Sequence, residues 1–137
     1  MKINHGRVAG MPSTQRDETF TGAVWSEPLL RDVPGVVINT VFFPPGVRTH
    51  WHRHENGQIL IVTHGSGLAL NEAGDGGAIA PGDVVWFDAG ERHWHGAGPD
   101  TWVSHIAISL GTTEWEEPVT DDEYAAGPPS ERDVTGE

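Results

Sequence analysis

A chain of 137 residues has the length of one domain, enough to bury roughly two-thirds of the surface that its unfolded form exposes. It holds no cysteine, which excludes a disulfide framework and a thiolate metal site and leaves nitrogen and oxygen as donors for any cation. A net charge of -12, from 20 acids against 8 Lys and Arg, disfavours nucleic acid and anionic membrane surfaces as partners through repulsion.

The opening MKINHGRVAG lacks the apolar stretch of a secretory leader, and no apolar run approaches the roughly 18 residues of a membrane span. A soluble, cytoplasmic protein is expected. Residues 1–19 read as an N-terminal arm. Across 20–110 the apolar, β-branched runs VVINTVFF, QILIVT, GLAL, DVVWF and TWVSHIAIS read as strands. PPG at 44–46, HGSG at 64–67, NEAGDGG at 71–77, PGD at 81–83, DAGE at 88–91 and GAGPD at 96–100 supply turns between them. Short strands at this spacing, with no competing helical period, predict an all-β sandwich or barrel.

Residues 111–137 differ in character. From 114 onward nine acids face one base, Arg132, so this end carries -8 of the total charge. Thr120, Asp121, Asp122 and Glu123 have the form of a capping box, Ala125 and Ala126 suit a helix, and Gly127-Pro128-Pro129 would stop it. One short C-terminal helix is predicted.

The chemistry concentrates in histidines. In THWHRHENGQ, at 49–58, an extended backbone would project His50, His52 and His54 to one side and Trp51 and Arg53 to the other. Alone, the triplet reads equally as a solvated surface row or as a metal site. Gln58 follows four residues after His54; His93 and His95 come later, again two apart, in HWH; and His105 lies inside the apolar TWVSHIAIS, where a polar ring is costly unless it is paired or has a task. On VVINTVFF, Asn39, Val41 and Phe43 share one face, and Leu60 faces them from QILIVT: a pocket lining, or for Val41 and Phe43 plain core packing. His5 and His64 read as surface residues, Trp86 and Trp94 as structural, and Trp51 and Trp102 as candidates to cover a subunit contact.

Gly46, His52, His54, Gln58 and Gly65, followed by Gly82, Asp83, Gly90 and His93, resemble the two motifs of the cupin superfamily. The second motif lacks its usual proline, with Asp88 or Ala89 in that place. The resemblance extends from Phe20 to Tyr124, through FTGAV, PGVRTHWHRHENGQILIVTHGSG, PGDVVWF, GERHWHG, VSHIAIS and EWEEPVTDDEY, to small bacterial cupins that include metal-dependent hydroxynitrile lyases. His50, Arg53, His64 and the pair Glu55-Asn56 depart from that pattern, which leaves the substrate class open.

The resemblance implies a double-stranded β-helix, or jelly-roll barrel, over 20–110, with His52, His54, Gln58 and His93 as metal ligands. His105 matches the catalytic base, with His95 reaching the same pocket and His50 at its rim. Three neutral imidazoles and an amide would leave a divalent cation its full charge. Manganese is expected first and iron next, with zinc or nickel possible. A small-molecule substrate and a homodimer or small homo-oligomer are implied as partners. A cyanohydrin lyase is the leading activity; a non-haem iron dioxygenase, an isomerase, cyclase or decarboxylase, and a non-catalytic metal- or ligand-binding protein stay open, because fold does not dictate chemistry.

Overall fold

Alternation along each strand decides which side chains meet inside. In a computed structural model describing residues 1–6 and 12–127, eleven strands form two antiparallel sheets. The first contains, in spatial order, β1 (Thr14–Arg16), β2 (Val24–Val33), β3 (Val36–Phe43), β10 (Val103–Leu110), β5 (Gln58–Gly65) and β8 (Val84–Phe87). The second contains β11 (Thr113–Trp115), β4 (His52–His54), β9 (His93–Ala97), β6 (Gly67–Asn71) and β7 (Gly76–Ile79). The architecture is the expected jelly roll, closed by α1 (Asp121–Ala125).

Val41 and Phe43 on β3, Leu60 and Val62 on β5, Val103 and Ala107 on β10 and Phe87 on β8 form the main core between the sheets, as period-two alternation requires. Register then sets the depth of each polar side chain. His105 lies opposite Val41 on one side and Val62 on the other, while Gln58 lies opposite Ser109 and Phe87. In the second sheet His52 pairs with His93, and β11 brings Thr113 opposite His54 and Trp115 opposite His52.

The sheets extend past both expected barrel ends. β1, inside the predicted arm, pairs with β2, and β11, inside the predicted tail, pairs with β4. β2 escaped the sequence pattern because VWSEPLLRDV carries Pro28 and charged residues; its pairing with β3 shifts register next to that proline, where an irregular strand tolerates a missing donor. β7 escaped because the glycines of the predicted 71–77 turn continue into it, and Gly76 (φ 127) lies so close to the Ala69 carbonyl that a Cβ would overlap it.

A second cluster, Trp51, Leu70, Trp94 and Val119 with Tyr124, fills the outer face of the smaller sheet beneath α1. Thr120 caps that helix as expected, its hydroxyl accepting from the Glu123 amide while the Glu123 carboxylate accepts from the Thr120 amide. Pro128 and Pro129, the expected stop, lie outside the described residues. Trp51 is buried here, its ring 4.2 Å under the Arg92 guanidinium, and so is not free to cover another subunit; Trp86, expected to be structural, is half exposed. No described helix is long and apolar enough to cross a membrane.

Arg48 anchors this closure. Its Nη2 donates to the Val119 carbonyl at 2.6 Å and to Asp121 at 3.0 Å, and its guanidinium lies 4.5 Å from the Tyr124 ring, whose hydroxyl donates to the Ala97 carbonyl at 2.7 Å. Asp121 is fully exposed, so the buried carbonyl bond dominates over the ion pair. Arg48→Met is expected to cost about 2–3 kcal/mol in urea unfolding. An Asp121→Asn change should cost under about 1 kcal/mol, and equal losses would contradict that ranking.

Candidate metal centre

Two neighbouring strands of the smaller sheet deliver four imidazoles to the interior. On β4, His52 and His54 point inward while Arg53 points out to Glu116 at 2.7 Å; on β9, His93 and His95 point inward while Trp94 fills the outer cluster. All four rings are buried, as are Gln58 and His105 from the opposite sheet. Ring centroids are 4.3 Å apart for His52 and His93, 5.0 Å for His52 and His54, and 5.6 Å for His54 and His93.

Outer contacts fix which nitrogen each ring presents. A carbonyl can only accept, so Nδ1–H of His52 donates to the His50 carbonyl at 2.8 Å and Nδ1–H of His93 donates to the Glu91 carbonyl at 2.8 Å. Both rings therefore aim an Nε2 lone pair inward. His54 is held through Nδ1 by the Thr113 hydroxyl at 3.0 Å. Phe87 stacks on His93 with centroids 3.6 Å apart, and Trp115 covers His52 at 4.5 Å.

What remains inside is a set of acceptors without donors. Nε2 of His52, His54 and His95 is buried with no partner. With its amide nitrogen donating to Ser109 at 3.2 Å, Gln58 turns Oε1 toward Nε2 of His93 at 2.9 Å, so two lone pairs oppose each other. Orphaned buried acceptors are expensive, and protonation does not relieve them: burial pushes His54 down to about 4 and His93 to about 3, and holds His52 and His95 well below the usual imidazole value. A cation among the lone pairs of His52, His54, His93 and Gln58 would satisfy those four and leave Nε2 of His95 open beside it, so the donor set fits a divalent metal of the imidazole- and oxygen-binding kind.

The sequence-derived residues distribute as follows. His52, His54, Gln58 and His93 do converge. Ligand nitrogens of His52, His93 and His95 lie within 4.8 Å of one another, which makes His95 part of the cluster, while His54 falls outside that mutual limit. His105 stands behind His95: its Nε2 is 3.1 Å from Nδ1 of His95, and burial lowers its pKa to about 4. His95 lines a cavity of about 640 Å³ together with His52, His54 and Gln58; His105 does not, so it meets the cavity through His95. Asn39, Val41 and Phe43 line the cavity, and Val41 and Phe43 belong to the main core as well.

Two expectations are corrected. His50 precedes the strand, its neighbour Thr49 lines the cavity instead, and its part is played by the backbone carbonyl that orients His52. Leu60 is packed in the main core, not in the cavity wall. Sequence reasoning missed Thr113 and Trp115, which sit in a short polar strand with no apolar alternation, and Ser109, which period two from His105 along β10 would have found.

Comparison with known proteins follows the same direction. The family described as Cupin domain matches residues 39–106. The (R)-mandelonitrile lyase of Granulicella tundricola is 49% identical over 111 residues, covering 77% of this chain and 85% of that protein. A cupin-like protein from Thermotoga maritima, solved by crystallography, shares 37% identity at a TM-score of 0.82, covering 91% of this chain and 100% of that one. The polyketide cyclase RemF from Streptomyces resistomycificus shares the fold alone, with 18% identity, a TM-score of 0.61 and 90% of each chain covered.

Rings kept neutral in the fold and titrating freely in the unfolded chain link stability to pH. As pH falls below about 6.5 the unfolded state takes up protons that the folded state refuses, so stability drops by up to about 1.4 kcal/mol per pH unit for each such ring. Metal-free protein should therefore lose urea resistance steeply between about pH 7 and pH 5. A flat profile across that interval would show that the imidazoles are not held neutral.

Proposed function

Since the chain belongs to the cupin domain family, we propose that it is a metal-dependent carbon–carbon lyase of the hydroxynitrile lyase type, splitting a cyanohydrin into an aldehyde and hydrogen cyanide or joining them. The observation that carries this reading is the pairing of a lone-pair cluster, at His52, His54, His93 and Gln58, with an imidazole dyad in which His95 borders that cluster and lines the cavity while His105 backs it from behind. A metal store needs the first and has no use for the second. The 49% identity to a mandelonitrile lyase supports the same reaction.

His52, His54, His93 and Gln58 would hold the cation, manganese first and iron next, with zinc or nickel also compatible with the donors. When bound, it supplies Lewis acidity toward a substrate oxygen. His95 accepts the hydroxyl proton at Nε2, which is open when its Nδ1–H donates to His105. The electron pair of the carbon–carbon bond leaves with cyanide, the carbonyl forms, and the proton on His95 passes to cyanide. His105 positions His95 and fixes its tautomer. Burial disfavours imidazolium on both rings, which keeps the dyad neutral and able to accept. Val41, Phe43 and Trp115 shape the space for the substrate's apolar body and exclude water.

Purified protein is expected to contain manganese by elemental analysis and to release aldehyde from mandelonitrile. His105→Ala should retain the metal and lose turnover by about 10²-fold or more, while His105→Gln, which can still accept from His95, recovers part of it. Unchanged turnover in His105→Ala would be fatal to the proposed dyad, and uptake of dioxygen without cyanohydrin cleavage would favour an oxygenase.

We further propose that two copies pair through the outer face of the six-stranded sheet. Ile38, Phe42, Ile59, Ile61, Ile106 and Ile108 are each half-buried there, and Trp25 and Trp102 flank Phe42 with centroids 6.3 and 5.4 Å away. Such a continuous apolar face is unusual on a monomer. The chain is expected to sediment as a dimer, and Trp102→Glu to weaken it; a monomeric wild type at micromolar concentration would overturn the pairing.

A further inference from the structure

The cavity runs against the charge of the whole molecule. With 20 acids and 8 Lys and Arg in the chain, a random set of lining residues would be acidic, yet the described lining contains Arg16 and Arg31 and no Asp or Glu. Both arginines lie at the end supplied by β1 and β2. Arg31 borders the inner cavity and also an outer hollow of about 350 Å³ formed by residues 31–37 and Gly111, so it stands at the threshold between them. Its Nη2 donates to Asn39 at 3.4 Å, and Arg16 lies 5.7 Å from the Phe20 ring.

Neither guanidinium forms an ion pair within the described residues. Asp32, next to Arg31 in the outer hollow, is paired with Lys2 at 2.9 Å, and its carboxyl is held below the usual range chiefly by that lysine. The acid best placed to compete for Arg31 is thus already engaged. A concave site with apolar walls focuses the field of the remaining cations, so an anion meets attraction here and repulsion from most of the rest of the surface.

We infer that the substrate carries a carboxylate on an apolar body, received by Arg31, with Arg16 as a second cation, while its hydroxyl or carbonyl end reaches the histidines. The inference rests on the reading of this cavity as the substrate site. Asn39, which holds Arg31, is two residues along β3 from Val41, the partner of His105, so the two ends are separated by about 7 Å along the strand. A single aromatic ring bridges that span. Phe20, Val37 and Ala107 supply apolar wall between the two ends.

The test is calorimetric binding to the metal-loaded protein of two non-reacting alcohols of the same shape, para-(hydroxymethyl)benzoate and para-(hydroxymethyl)benzamide. At low salt the carboxylate should bind about three- to tenfold more tightly than the amide, a range set by the exposure of Arg31. The preference should vanish in Arg31→Gln, persist in part in Arg31→Lys, and survive Arg53→Gln, which removes the same charge outside the cavity. Equal binding of the two alcohols by the wild type overturns the inference. So does a preference that persists undiminished in Arg31→Gln, because the carboxylate would then be held at the metal. Cleavage of mandelonitrile without any carboxylate preference sinks this inference alone; carboxylate preference without cleavage of any cyanohydrin sinks the lyase reading alone.

Discussion

Five buried imidazoles and one buried amide are costly in a barrel interior unless the rings have their protonated nitrogens engaged and their lone pairs directed somewhere useful. The fold meets the first condition for four of the five rings through contacts that cost it little, and leaves Nδ1 of His105 buried without a partner. The carbonyls of His50 and Glu91, two residues before His52 and His93, each fix one ring from within the same chain segment. Thr113 does the same for His54 across a strand pair, and His105 for His95 across the two sheets. The second condition cannot be met by protein atoms alone, because the inner nitrogens face one another and the Gln58 oxygen. A cation is what the arrangement is shaped to take.

That requirement explains features which otherwise look unconnected. β11 is short, polar and exposed along its length, a poor strand by propensity, yet it carries both the Thr113 contact to His54 and the Trp115 ring over His52. The C-terminal segment that follows is tied down by Arg48, by Tyr124 and by Trp51 beneath Arg92, with Arg92 itself bonded to Glu116 at 2.6 Å. The acidic end of the chain is therefore more than a solvated tail up to α1: its carboxylates hold the basic residues that brace the outer side of the histidine-bearing strands. Among the described residues, the same distribution leaves the cavity lining with two arginines and no acid, so that the described carboxylates lie outside it.

Under the proposed lyase reading, the roles of the two rings follow from which of them touches open space. Sequence resemblance implies that His105 is the base, and the structure places it one ring further back, with His95 between it and the cavity. The pair is a tautomer-coupled unit: a proton gained at Nε2 of His95 is balanced by the bond its Nδ1 makes to His105. His50 shows the reverse displacement. Its side chain was the conspicuous one in THWHRHENGQ, and its carbonyl is the part that serves the site.

Much was legible in the amino-acid sequence because it is written in local period and in residue type. Alternating apolar runs punctuated by glycine and proline determined an all-β sandwich or barrel, two-residue spacing determined that His52 pairs in direction with His54 and His93 with His95, and a capping box determined α1. Strands whose pattern was broken by Pro28, by the glycines of β7 or by the polarity of β11 were not legible, since their pairing comes from neighbours distant in the chain. Tertiary structure alone decided that His95 joins the cluster, that Leu60 turns into the core, and that Arg31 stands at the cavity mouth. The reason is register: alternation says which residues share a face of one strand, whereas the depth at which two faces meet is set by how strands from opposite sheets align.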